Sequence, residues 1–331
     1  MTPAISVRDL VKQYPKSKTN AVDGVSFDVS RGEIFGLLGP NGAGKTTTIG
    51  VLTTAIVPTQ GSAFITGIDV ARDPIDIKQR IAVVPQQSNL DRSLRVREIL
   101  TFHAAYHGVP RKEREVLADK LLGELGLGER KNEKVTRYSG GMAQRLMIAR
   151  ALMHSPDVLF LDEPTNNLDP QSRLFLWERI HELNANGLTI LLTTHDMDEA
   201  DKLCNRIAIM DHGKILVNDT PDELKKLIPG GTVLEIRAFA SSDQGTPERL
   251  ATALRALPGV TRVDEAKDGD SAGSEAEPGL LSYRLYAETT NALIGPAAQA
   301  IVTAGAEVRD LSVKQPTLEE VFIFMTGRHL R

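Results

Sequence analysis

The stretch EIFGLLGPNGAGKTT, Glu33–Thr47, decides the fold. Its first half is a short apolar run ending in glycine, the composition of a buried parallel strand. Its second half, Gly39-Pro40-Asn41-Gly42-Ala43-Gly44-Lys45-Thr46-Thr47, fits the spacing Gly-x-x-x-x-Gly-Lys-Thr of a phosphate-binding loop. A helical stretch to about Thr54 follows. The chemistry requires this composition. Backbone N–H groups have to curl around phosphate oxygens, and glycine permits both the curl and the close approach. The following helix points its positive end at the same anion. Lys45 reaches the β- and γ-phosphates, and the Thr46 hydroxyl is a ligand for Mg²⁺. A chance glycine-rich turn would lack the strand before, the helix after and the Lys-Thr pair.

Working outward, Val158-Leu-Phe-Leu-Asp162-Glu163 is a second short apolar strand, ending in two acids. Alone, it reads equally well as a strand capped by solvated carboxylates. Beside a phosphate loop, Asp162 is placed to bind Mg²⁺, directly or through water, and Glu163 to polarise a water for in-line attack on a γ-phosphate. Arg80–Val84 reads as a strand leading to Gln86, and LTILLTTH as a buried strand leading to His195. Ile5–Ser30 alternates apolar and polar residues in strand fashion, and Ser62–Ile65 is a further strand by the same period-two criterion. From about Leu94 to Ser155 apolar residues fall at helical spacing, which predicts a helical insert ended by Pro156. Ser172–Asn184, Met197–Leu203 and Asp222–Lys226 read as helices, and RIAIMDHGKILVND as a hairpin turning at His212–Gly213.

Tyr138-Ser139-Gly140-Gly141-Met142 opens one more helical run, AQRLMIARAL. With the phosphate loop, the Asp162–Glu163 strand, Gln86 and His195, it makes the chain resemble the ABC ATPase family from Ile5 to about Leu227. The resemblance implies an α/β fold of the P-loop NTPase type, a mixed sheet with a helical subdomain at about 94–155, and Mg-ATP as the bound species. It also implies roles for single residues. Tyr14 lies where an aromatic stacks on adenine. Gly39 to Thr47 hold the phosphates, and Thr46, Asp162 and Gln86 serve Mg²⁺. Gln86 also faces the transport partner. Ser139, Gly140 and Gly141 match the signature that contacts ATP held by a second cassette. Leu168 and Asp169 match the loop that crosses the dimer interface. Glu163, Lys45 and His195 match the catalytic set, with His195 touching the γ-phosphate. The signature departs from the common Leu-Ser-Gly-Gly-Gln form. Tyr138 replaces the leucine, and Met142 replaces the glutamine, leaving only a weak sulfur acceptor there. The implied partners are a second cassette, in a homodimer or with a sister chain, and an integral membrane permease on a separate chain.

Pro229-Gly-Gly-Thr232 reads as a linker, dividing a cassette at 1–229 from a small domain at 230–331. Beyond it the pattern is strand Val233–Ala238, helix Pro247–Ala256, strands Val260–Glu265 and Leu281–Ala287, helix Asn291–Thr303, strand Glu307–Val313 and helix Leu318–Met325. That βαββαβ order suggests a ferredoxin-like or ACT-like α+β domain, interrupted by the loop KDGDSAGSEAEPG. The tail, Pro316–Phe322 with Thr326-Gly327-Arg328, is similar to that of the ATP-binding subunits of ABC-2 type exporters.

Composition narrows the remaining choices. Over 331 residues the net charge is −4, which lacks the basic surplus of a nucleic-acid binder. No stretch approaches the ~18 apolar residues that span a bilayer, and the N-terminus lacks the pattern of a secretory signal. Any membrane part therefore belongs to another chain. The competing reading, a soluble ABC ATPase acting on ribosomes or DNA, is disfavoured by the single cassette, the short insert and the absence of a cysteine set. Cys204, the one cysteine, reads as a buried apolar side chain. His103, His107, His154 and His181 show no metal-ligand pattern and are assigned solvent or structural roles.

Overall fold

The computed structural model describes residues 2–15, 17–228, 232–240, 246–265, 279–287, 290–314 and 316–327. The chain divides into two compact units, one up to Pro221 and one from Asp222 onward. The division falls before the linker read from the sequence, whose residues 229–231 lie outside the described residues, as does the 266–278 loop.

In the first unit, Ile34–Leu38 is buried along its whole length. It sits inside a six-stranded sheet in the order Lys214–Asp219, Arg206–Asp211, Ile34–Leu38, Thr189–Thr194, Val158–Asp162, Ile81–Val84. The last five run parallel to one another and only Lys214–Asp219 pairs antiparallel. Parallel strands are covered on both faces, which explains why IFGLL and VLFLD lack polar alternation. A four-stranded antiparallel sheet, Val22–Val29, Ile5–Lys12, Gln60–Ile65 and Ile68–Asp69, lies alongside. The two sheets share one core, in which the rings of Phe27 and Phe35 stack at 5.1 Å. Turns fall where positive φ is tolerated: Thr66–Gly67 joins two of these strands, and His212–Gly213 turns the last hairpin with φ of 47° and 78°.

The helical insert consists of Val96–Tyr106, Arg111–Glu124 and Gly140–Ala151. Leu100, Ala104, Ala118, Leu122 and Leu146 are fully buried in it. The sequence reading left out the helix Pro74–Arg80. Its signal is a start motif: the Asp73 carboxylate accepts from Asp76 N–H, and Pro74 takes the first position, where its missing donor costs nothing. The phosphate-loop helix is shorter than expected, Lys45–Leu52.

In the second unit the strands Val260–Glu265, Leu280–Ala287, Thr232–Ala240 and Ala306–Lys314 form an antiparallel sheet in that order. The helices Thr246–Arg255 and Ile294–Thr303 pack into its core through Leu250, Leu254, Ala297 and Ile301. This is the βαββαβ arrangement read from the sequence. Among the described residues no helix is long and apolar enough to cross a membrane.

Cys204 is buried, and a Cβ added at Gly36 would stand 2.6 Å from its Sγ. Burial pushes the thiol well above its usual range, so it holds little of the reactive thiolate. A maleimide or iodoacetamide reagent at pH 8 is expected to leave the native protein unlabelled and to label it once denatured, as read by intact-mass spectrometry.

Candidate active site

Four parallel strands deliver the chemistry at one edge. The chain leaves Ile34–Leu38 into Gly39, Val158–Asp162 into Glu163, Thr189–Thr194 into His195 and Ile81–Val84 toward Gln86. Ligands of open α/β sheets bind outside these carboxyl ends. The glycines are there for space. A Cβ at Gly39 would collide with the Met210 carbonyl, and one at Gly44 with the Ala21 carbonyl. Gly42 and Gly44 have φ of 83° and 106°, values that a side chain resists. Pro40, Asn41 and Gly42 form the solvent-facing crown of the loop, while Ala43 is buried and its carbonyl accepts from Gly213 N–H.

Lys45 is only 4% exposed. Its ammonium donates to the carbonyls of Gly39 at 2.5 Å and Pro40 at 3.1 Å, and lies 3.7 Å from Glu163 Oε1. Burial lowers its pKa, opposed by the charges of Glu163 and Asp162. Asp162 Oδ1 accepts from the hydroxyls of Thr193 at 2.5 Å and Thr46 at 3.3 Å. Glu163 is held from three sides: Gln86 Nε2 and Asn166 Nδ2 donate to Oε2 at 2.8 and 3.0 Å, and His195 Nδ1 stands 3.2 Å from Oε1. Lys45, Thr46, Gln86, Asp162, Glu163 and His195, scattered over 150 positions of sequence, thus meet in one place.

Tyr14 is 41% exposed, and its hydroxyl lies 3.4 Å from Thr47 Oγ1 at the edge of the loop helix. A cavity of about 660 Å³ opens beside the loop, lined by Asn20, Asp23, Gly42, His212 and Lys214 among others. It meets the loop at Gly42. The signature and the 168–172 segment form a second cluster. Ser139 caps the helix Gly140–Ala151 by accepting from Met142 N–H, a Cβ at Gly140 would lie 3.8 Å from Leu168, and one at Gly141 would stand 2.5 Å from Ser172 Oγ. Asp169 caps the helix Pro170–Ala185. Its hydrogen bonds from Ser172 hold the carboxyl below the usual range.

Sequence reasoning missed Thr193 and Asn166. Thr193 is fully buried; its hydroxyl donates to Asp162 and accepts from Glu163 N–H at 3.1 Å. Its only sequence signal was its place two residues before His195, at the end of a strand with an apolar interior. Asn166 sits three residues beyond Glu163, a local spacing that could have been read. The histidines need a correction. His181 makes only a contact with the Lys202 carbonyl, at 3.2 Å. His103, His107 and His154, however, bring ring nitrogens within 4.8 Å of one another. The pairing was hidden because His154 lies far along the chain, although His103 and His107 are four residues apart on one helix face.

A glycine-rich loop holding a buried lysine, with a hydroxyl and two carboxylates gathered at it on the carboxyl ends of a parallel sheet, defines a site of the P-loop NTPase class. The family described as ABC transporter matches residues 22–166. The daunorubicin/doxorubicin resistance ATP-binding protein of Streptomyces peucetius is 37% identical over 98% of this chain and 93% of the relative. A linearmycin resistance ATP-binding protein of Bacillus subtilis is 34% identical over 99% of both chains. A Nod factor export ATP-binding protein of Paraburkholderia xenovorans is 37% identical over 98% of this chain and 97% of its own. Among solved structures, an ATP-binding subunit of an ABC transporter superposes with a TM-score of 0.62 at 33% identity, covering 68% of this chain and 93% of that one. A dimeric cassette in a post-hydrolysis state with ADP and phosphate gives 0.60 at 26% identity, covering 65% and 98%. The chain belongs to the ABC transporter family, as an ATP-binding, ATP-hydrolysing subunit of the exporter type.

Thr193→Val keeps the shape of the side chain but strips Asp162 and the Glu163 N–H of a buried partner. It is expected to destabilise the protein by about 1–3 kcal/mol in urea unfolding, with Thr193→Ser recovering most of the loss. An unchanged midpoint would mean that the hydroxyl does not support the two acids.

Proposed function

We propose that this chain energises export through a separate integral membrane permease, at the cytoplasmic face of the membrane, as one of two cassettes that close around two Mg-ATP. The observation that carries the reading is Glu163, a carboxylate steered by Gln86, Asn166 and His195 to a position beside Lys45.

The residues divide the work as follows. Lys45 exchanges its bonds to the Gly39 and Pro40 carbonyls for γ-phosphate oxygens, and the N–H groups of Gly42 to Thr46 cradle the β-phosphate. Thr46 Oγ1 and Asp162 Oδ1 are hard oxygen donors 3.3 Å apart, and Thr46 is exposed, so the pair fits Mg²⁺, which keeps several waters of its own. That ion supplies charge neutralisation at the phosphates. Glu163 accepts a proton from a water as its oxygen attacks the γ-phosphorus in line. The bond from that phosphorus to the β-phosphate oxygen breaks, giving ADP and phosphate. His195 holds the Glu163 carboxylate and reaches the γ-phosphate from the same side.

One cassette supplies only half of each site. Ser139 and Gly140 lie exposed at a helix N-terminus, ready to close over ATP held by a second copy. Closure driven by ATP requires the closed pair to bind ATP better than the open one, and hydrolysis removes that preference. Gln86 touches the catalytic carboxylate and also stands in the loop that the family turns toward the permease, which gives the cycle a route to the membrane.

Glu163→Gln is expected to keep ATP affinity, to slow hydrolysis by about 10²–10⁴-fold, and to run as an ATP-dependent dimer on size exclusion. Pulled from detergent-solubilised native membranes with ATP, the same variant is expected to bring a multi-span membrane protein in stoichiometric amount. Ribosomal proteins or DNA in its place would overturn the transport reading. Lys45→Ala removes a charge-assisted bond and is expected to weaken ATP binding by about 10–100-fold; unchanged affinity in a fluorescent-nucleotide titration would displace the loop from its assigned role.

A further inference from the structure

A second constellation of ligand-type side chains lies in the helical insert, away from the carboxylates at the phosphates. His103 and His107 stand one turn apart at the end of the helix Val96–Tyr106, and His154 follows the signature helix Gly140–Ala151. The His107 and His154 rings stack at 3.9 Å, and His103 lies 4.8 and 5.7 Å from them by ring centroids. Among the described residues this is the group whose ligand atoms converge within 4.8 Å. We propose that His103, His107 and His154 form a binding site for a divalent transition-metal ion of the zinc class.

The tautomers support it. His154 Nε2 stands 2.9 Å from the Ile81 carbonyl, which can only accept, so the proton is on Nε2 and Nδ1 keeps its lone pair. That Nδ1 is buried and has no hydrogen-bond partner. A buried acceptor left unpaired loses its hydration without compensation, a loss that an ion removes. His107 Nδ1 lies 3.3 Å from Gln79 Oε1, a contact in which a proton on Nδ1 donates to the amide oxygen and leaves Nε2 free. A metal-ligating histidine characteristically donates its other ring N–H to a carbonyl or carboxylate, fixing the tautomer. His154 already does so, and His107 has an amide oxygen in place for it. Burial holds His103 down to about 4 and lowers the other two, which keeps all three imidazoles in the neutral form that ligates.

Space and charge also fit. Tetrahedral Zn–N bonds of about 2.0–2.1 Å put ligand nitrogens about 3.3 Å apart, against separations of up to 4.8 Å here, so binding requires the nitrogens to draw together and the stacked His107 and His154 rings to turn edge-on to the ion. A cavity of about 290 Å³ runs up to His107 and His154, with Glu113 and Met153 on its wall, and leaves a fourth position open to water or a carboxylate. The nearby cation Arg150 is engaged by Asn89 Oδ1 at 2.6 Å. An ion there would tie the end of the signature helix to the helix Val96–Tyr106 and, through His154 and Ile81, to the strand that leads to Gln86.

The test is calorimetric titration of the nucleotide-free full chain with Zn²⁺, in buffer whose Mg²⁺ saturates the oxygen donors at Thr46 and Asp162. One Zn²⁺ per chain is expected, with Co²⁺ giving the intense visible absorption of a four-coordinate nitrogen site. His103→Gln and His107→Gln are each expected to weaken Zn²⁺ binding by about tenfold or more and to abolish the rise in Tm that Zn²⁺ gives the unaltered chain, with His181→Ala as the neutral control. No saturable binding, or binding that survives both glutamine variants, would overturn the assignment.

Discussion

A lysine ammonium taken out of water is the constraint around which the first unit is arranged. Lys45 cannot be neutralised by moving to the surface, because it must be the first side chain of a helix whose loop wraps a phosphate. Burial acts against its charge, and the protein offsets that with two backbone carbonyls and two carboxylates, Glu163 and Asp162. The Lys45–Glu163 approach of 3.7 Å is too long for a strong hydrogen bond. A pair of this kind is weak evidence for stability, since desolvation cancels much of the attraction. In the function proposed for this loop, arriving phosphate would supply negative charge that the lysine meets directly, and would free the carboxylate for water.

The sheet order follows from that need. The strands carrying Gly39 and Asp162 are not neighbours; Thr189–Thr194 runs between them. Its last residues therefore stand between the lysine loop and the two acids. Thr193 bonds Asp162 and the Glu163 backbone, Thr194 O accepts from Gly39 N–H, and His195 closes on Glu163. A strand whose interior is apolar thus ends in three consecutive polar residues, each committed to a different part of the site. The separation of the outer strands sets the width of the cleft into which a triphosphate and its ion are to fit.

What was legible in the sequence had a common property: the residues that identify each other are adjacent. The phosphate loop, the Asp162–Glu163 strand end and the Ser139–Gly141 helix start each announce themselves within a few positions, because local backbone geometry dictates their composition. The βαββαβ order of the second unit was readable for the same reason, from period and turn signals alone. Thr193 was not, because threonine in a strand is ordinary until the register places it opposite Asp162. The histidine trio was not, because His154 joins the other two only once the helices of the insert have packed. The helix Pro74–Arg80 was missed for a different reason. Only Ile77 of it is buried, so its apolar periodicity is faint, and its start motif was the sole clue.

Glu163 itself shows how the site is held against its own backbone. Its φ is 48°, in the left-handed region, where a non-glycine residue stores roughly 1–3 kcal/mol of strain. The strain persists because surrounding groups over-determine the position: Glu163 N–H is shared between the carbonyl and hydroxyl of Thr193, while Gln86, Asn166 and His195 fix the side chain. Two amide donors and an imidazole thus compete with the lysine for the carboxylate. The over-determined carboxylate stays 3.7 Å from the Lys45 ammonium, beyond the contact of a close ion pair, while Gln86 and Asn166 hold its other oxygen.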